Sequence, residues 1–244
     1  MRASFLKILF LSLFALPTWA GQLVTYTWQG QEFEGYFTLP APGAPLILLI
    51  HDWDGLTDYE IKRADMLAEK GYAVFAADLF GKGIRPTENK DKRQHTGELY
   101  KDREKMRNLM RAALAEARRR GAAQQGGVAI GYCFGGAAVL ELARAGEPLD
   151  GFVTFHGGLR TPKGQDYRKT TGTVMVFHGS ADTAITMNDF ATLAQQLESA
   201  GIKHEMTTYG GAPHAFTVFN SPNYRKDADQ KSWARLLSYL EEVF

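Results

Sequence analysis

Two hydrophobic patterns alternate along the chain. Short unbroken apolar runs at 45–51 ("PLILLIH"), 72–79 ("YAVFAADL"), 127–132 ("GVAIGY"), 151–157 ("GFVTFHG") and 172–179 ("GTVMVFHG") are too short for helices. They read as strands buried on both faces. Between them, apolar positions recur three and four apart: Ile61, Ala64, Leu67 and Ala68 within 59–69, then 135–145 ("GGAAVLELARA") and 187–200 ("MNDFATLAQQLESA"). That spacing predicts helices with one apolar face, the first stopped by Gly71. Residues 23–28 and 33–40 flank the turn "QGQE" and predict an opening hairpin, 204–210 predict a late strand, and a closing helix runs from Asp227 to Glu242. The polar stretch from Gly81 to Gly97 reads as a mobile, lid-like connection, followed by one long charged helix from Leu99 to Arg120. Strands alternating with helices predict an α/β fold with a mostly parallel sheet covered on both faces, and ligands bind such sheets beyond the strands' carboxyl ends.

The first twenty residues follow another rule. Arg2 and Lys7 precede an apolar run from Ile8 to Leu16, then Pro17 and the small Ala20. This is the layout of a secretory signal peptide cleaved near Ala20 and Gly21, which predicts a periplasmic or secreted protein and a single domain over 21–244. The run is short for a membrane span, and no later segment is apolar enough for one. With 28 Lys+Arg against 27 Asp+Glu the net charge is +1, so no basic excess points to nucleic acid and a small molecule is the expected partner. Nothing signals an obligate protein partner, so a monomer is the default expectation.

The single cysteine has no intramolecular disulfide partner. Cys133 lies in Gly131-Tyr132-Cys133-Phe134-Gly135, between the strand "GVAI" and the following helix. This is the strand–turn–helix elbow that presents a nucleophile, with Cys in place of Ser. The helix N-terminus beside the sulfur is expected to lower its pKa. Nucleophiles on such elbows are followed along the chain by an acid and then a His. Asp182 in "HGSAD" and His214 in "YGGAPHAF" stand in that order, each just past a strand. His214 would exchange the proton of Cys133, and Asp182 would fix the imidazole tautomer. The backbone N–H groups of Phe134 and Trp53 are the expected oxyanion donors. His51, beside Asp52, has no third ligand at zinc-like spacing, and it reads as scaffold rather than as part of a metal site. His156 and His178 read as hydrogen-bonded scaffold, and Arg160 reads either as a rim group for an anionic substrate or as a solvated loop residue.

From "LPAPGAPLILLIHDWDGL" through "GYAVFAADLFGKG", "GYCFGG", "FHGGL" and "HGSAD" to "GAPHAF", the chain resembles the dienelactone hydrolases, a branch of the α/β-hydrolases. The resemblance implies Cys133 as nucleophile, His214 as base, Asp182 as supporting acid, and hydrolysis of an ester or lactone without metal or cofactor. Two positions depart from the family pattern. Asp52 stands where members commonly have a Glu that contacts the thiol, and Val218 stands where members that cleave dienelactone hold the substrate carboxylate with Arg. Lys82 is a partial stand-in for a second substrate-binding Arg, but a point charge does not replace a bidentate guanidinium. These departures argue against dienelactone itself as substrate. The same triad also serves thioesterases and peptidases, and a thiol-sensing scaffold without activity is the non-enzymatic alternative.

Overall fold

A computed structural model describes residues 21–244; the expected signal peptide, 1–20, lies outside the described residues. The strands are β1 (Gln22–Trp28), β2 (Gln31–Thr38), β3 (Leu46–Ile50), β4 (Ala73–Ala77), β5 (Val128–Tyr132), β6 (Gly151–Phe155), β7 (Thr173–Gly179) and β8 (His204–Tyr209). The helices are α1 (Asp58–Ala68), α2 (Asn89–Lys101), α3 (Arg103–Arg119), α4 (Phe134–Ala145), α5 (Met187–Ala200) and α6 (Lys226–Val243). The strands form one sheet in the order β1-β2-β4-β3-β5-β6-β7-β8. Only the pairings of β2 with β1 and with β4 are antiparallel, so β4, β3 and β5 to β8 all end on the same edge.

Strand periodicity explains the two-sided core. In β3 the side chains of Leu46, Leu48 and Ile50 belong to the cluster that also holds Leu109 of α3, Leu142 of α4 and Leu193 of α5. Ile47 and Leu49 point the other way, to the cluster of Leu67 on α1 and Leu236 and Leu240 on α6. Successive strand residues face opposite sides, so an unbroken apolar run is what a doubly covered strand requires.

The region after β4 departs from expectation in two ways. The polar stretch 81–97 is not all loop, because Asn89 begins a helix in which only Thr96 and Leu99 are buried. The long helix expected from Leu99 to Arg120 is instead two helices, broken at Asp102 (φ −114°, ψ 76°). The Asp102 carboxylate accepts from the Lys105 N–H at 2.9 Å, so it caps α3 rather than continuing α2. Among the described residues no helix is long and apolar enough to cross a membrane.

Candidate active site

β5 ends at Tyr132 and α4 begins at Phe134, leaving Cys133 alone in the turn. Its φ of 49° and ψ of −109° are unusual for a side-chain-bearing residue. Such strain costs about 1–3 kcal/mol and persists only where the surroundings impose it. Here the Cys133 N–H donates to the Phe155 carbonyl of β6 at 3.0 Å, and two glycines close the elbow. A methyl group on Gly131 would lie 2.1 Å from the Gly135 carbonyl oxygen, and one on Gly135 would lie 2.3 Å from that of Ile50. The G-x-C-x-G spacing is therefore a packing requirement of strand, turn and helix together.

The loops after β7 and β8 bring the other two residues to this point. The His214 Nε2 atom lies 3.1 Å from Cys133 Sγ, and Nδ1 lies 2.7 Å from Asp182 Oδ2. Asp182 Oδ1 accepts from the N–H groups of Ala184 and Ile185, both at 2.9 Å. Burial opposes ionisation of Asp182, but these bonds and His214 outweigh it and hold the carboxyl below its usual range. An ionised Asp182 accepts the Nδ1–H, leaving Nε2 as the acceptor facing sulfur. Burial would lower the His214 pKa, yet the hydrogen bond and charge of Asp182 raise it overall.

The thiol does not behave as its position beside a helix suggests. Burial pushes the Cys133 pKa well up, the Asp52 carboxyl pushes it further, and the Phe134 N–H only partly opposes them. A helix terminus is a fractional charge, and it loses to desolvation plus a neighbouring carboxylate. The expectation of a lowered thiol pKa is thus corrected, and the resting sulfur is protonated.

Despite its shorter side chain, Asp52 lies near enough for its carboxyl to raise the thiol's pKa. Burial, then the charge of Asp54, pushes the Asp52 carboxyl up to about 6. Its Oδ1 also accepts from the Trp53 N–H at 2.5 Å, so this expected oxyanion donor is engaged by a carboxylate. The loop is braced from beneath. Glu60, fully buried, accepts from the Asp52 N–H at 3.2 Å and from Thr57 N–H and hydroxyl at 2.9 and 2.8 Å. Burial pushes its carboxyl up to about 8. The T-x-x-E spacing of Thr57 and Glu60 is a capping-box signal legible in the sequence.

His51 is a spacer. Its Nε2 accepts from the Leu79 N–H at 3.1 Å, which leaves Nδ1–H to donate to the Asp52 carbonyl at 2.6 Å. His156 pairs with Thr217 Oγ1 at 2.8 Å, as scaffold should. His178 does not fit that reading, because neither of its buried ring nitrogens finds a partner and it is held by stacking on Phe190 at 5.6 Å. Arg160 projects into solvent and pairs with Asp189 of α5 at 2.8 Å, and Lys82 pairs with Glu32 of β2 at 3.2 Å. Neither cation is directed at the thiol. Tyr100, not singled out in the sequence, packs edge-to-face on Phe134 at 5.4 Å and places α2 against the elbow. Lys92 of the same helix sits 5.2 Å from the Trp53 ring centre and 3.7 Å from Asp54. Among the described residues no group of three or more His, Cys, Asp or Glu side chains could hold a metal ion.

Comparison with known proteins gives a consistent outcome. A carboxymethylenebutenolidase of Pseudomonas sp. is 26% identical over 228 residues, 88% of this chain and 92% of that protein. Protein usf of Aquifex pyrophilus is 24% identical over 231 residues, 91% of this chain and 98% of that protein. The crystal structure of a dienelactone hydrolase-like promiscuous phosphotriesterase from metagenomic libraries superposes with a TM-score of 0.85 at 29% identity, covering 92% of this chain and 98% of that one. The α/β-hydrolase fold expected from the sequence is therefore the fold observed. The sequence profile of the dienelactone hydrolase family matches residues 33–244, and with that the chain belongs to the dienelactone hydrolase family.

Proposed function

We propose that this hydrolase cleaves a carboxylic ester or lactone through a thioester acyl-enzyme on Cys133. The observation that carries the reading is the continuous contact from sulfur to imidazole to carboxylate, 3.1 and 2.7 Å. As Sγ attacks the carbonyl carbon, its proton passes to His214 Nε2, and Asp182 stabilises the imidazolium. The tetrahedral oxyanion takes a hydrogen bond from the Phe134 N–H, and from the Trp53 N–H once the Asp52 carboxylate turns away. His214 then returns its proton to the leaving alkoxide oxygen. In the second half a water attacks the thioester carbon, giving its proton to Nε2, and the acid leaves as Sγ is reprotonated. Because the resting sulfur is a thiol, proton removal is coupled to attack, which is general-base catalysis rather than use of a standing thiolate.

Mass spectrometry after mixing with p-nitrophenyl acetate tests this. An acetyl adduct on Cys133 with steady p-nitrophenol release is expected, both lost in Cys133→Ala. Absence of adduct and of turnover on every ester and lactone tried would sink the hydrolytic reading and favour a thiol-sensing scaffold.

We also propose that the favoured substrates are uncharged. Lys82, Lys92 and Arg160 are paired with Glu32, Asp54 and Asp189, while Asp52, on the loop beside the thiol, has no cationic partner among the described residues. A substrate carboxylate would meet like charge there. A p-nitrophenyl ester of acetate should exceed the hemisuccinate ester in kcat/KM by about tenfold, roughly 1.4 kcal/mol, with the gap narrowing in high salt. Preference for the hemisuccinate would overturn this.

A further inference from the structure

The loop that carries His214 has no regular secondary structure from 214 to 220, and the next residue, Ala215, has a φ of 60°. Asp182 holds the ring at Nδ1, but the backbone that carries it needs an anchor from outside the loop. Three residues later Thr217, fully buried, makes three contacts away from the loop. Its Oγ1 lies 2.6 Å from Tyr59 Oη and 2.8 Å from His156 Nε2, and its carbonyl accepts from Arg63 Nη2 at 2.9 Å. Tyr59 and Arg63 both belong to α1, whose N-cap Thr57 forms a capping box with the same Glu60 that holds the Asp52 loop.

Arg63 has no place in the proposed chemistry, yet it is 1% exposed. Its guanidinium pairs with Asp229 of α6 and lies 4.2 Å from the Phe219 ring centre, 4.9 Å from that of Trp233 and 5.9 Å from that of Tyr132. Tyr132 is the residue before the nucleophile, so one buried cation touches both arms of the site. Arg63 can only donate, and its Nε reaches Tyr59 Oη at 3.4 Å. Tyr59 can then donate to Thr217, and Thr217 to an unprotonated His156 Nε2. Burial keeps His156 neutral, which fits its role as acceptor, and its ring lies edge-on to His214 at 5.4 Å.

We propose that Thr217, anchored by Tyr59 and Arg63 of α1, is the positioning residue that holds His214 within hydrogen-bond reach of Cys133. This rests on the Cys133–His214 reading above. An unanchored loop would let the imidazole drift, and small misplacements of a catalytic group cost rate without altering substrate affinity.

The test is Thr217→Val, near in shape but without the hydroxyl, beside Thr217→Ser, Tyr59→Phe and the Val/Phe double variant. Two readouts are taken: kcat and KM on p-nitrophenyl acetate, and the pH profile of Cys133 alkylation by iodoacetamide. Expected is a fall in kcat of about tenfold with KM unchanged, near the effect of one buried hydrogen bond. The alkylation profile should shift with it, Thr217→Ser should restore both, and Tyr59→Phe should match Thr217→Val with no added loss in the double variant. Wild-type kcat and alkylation profile in folded Thr217→Val would overturn the proposal, as would additive losses. If Thr217→Val does not fold, Tyr59→Phe alone decides by the same two readouts. If the wild type turns over no ester, the hydrolytic reading fails, and the alkylation profile still decides whether Thr217 positions His214.

Discussion

Asp182→Asn is expected to lower kcat by about ten-thousand-fold while leaving the fold intact. The size follows from which oxygen does what. Oδ1 accepts from two backbone N–H groups, Ala184 and Ile185, so in the variant the amide oxygen stays there. The amide nitrogen then faces His214 Nδ1, where the carboxylate oxygen lay 2.7 Å away. An N–H donor at that place forces Nδ1 to accept, so Nε2 carries the hydrogen and points it at the sulfur. The imidazole is then in the wrong tautomer to take a proton from Cys133. The pH profile supplies an independent sign. Asp182 raises the His214 pKa, so the wild-type acid limb, rising as His214 loses its proton, should lie above the usual imidazole value of about 6.5. Without the carboxylate that limb should move to lower pH. Steady-state kinetics from pH 5 to 9 would show both effects, and a variant within about tenfold of wild type would contradict the role given to Asp182.

Gly135→Ala should cost more than about 4 kcal/mol, or prevent folding altogether. The added methyl would stand 2.3 Å from the Ile50 carbonyl oxygen and 2.6 Å from that of His51. Both obstacles are backbone, one at the end of β3 and one at the start of the Asp52 loop, so no side chain can swing aside. Relief would require α4 to move off the sheet, breaking the packing of an almost wholly buried helix. Gly97→Ala is the matched control, because nothing lies within 4 Å of its methyl in α2. It should stabilise by about 0.5–1 kcal/mol, the ordinary helical preference for Ala over Gly. Thermal melts of the two variants beside wild type measure the contrast, and equal melting temperatures would refute the close-packed elbow.

These contrasts also show what the sequence could disclose. The inner parallel strands, β3 to β7, were legible because each is buried on both faces, and burial on both faces leaves only one pattern to write, as in Leu46–Ile50. That Cys133, Asp182 and His214 meet was legible because each follows a parallel strand at the same edge of the sheet, where topology fixes the place. α2 was not, because only Thr96 and Leu99 are buried in thirteen residues, too few to mark a face. The break at Asp102 left a signal, a capping residue inside a charged run, but charge alone does not separate a cap from a helix surface. The thiol's raised pKa is not legible, because the helix terminus is adjacent in sequence whereas Asp52 and the burial are brought by the fold. The brace through Arg63 spans 154 residues to Thr217 and 166 to Asp229, and no local pattern encodes contacts at that range.

The protonated sulfur has a consequence for the lifetime of the protein. Peroxides and related oxidants attack thiolates, and a sulfur held as thiol by burial and by Asp52 offers them little. Between substrates the chain therefore keeps its one thiol in its least perishable form.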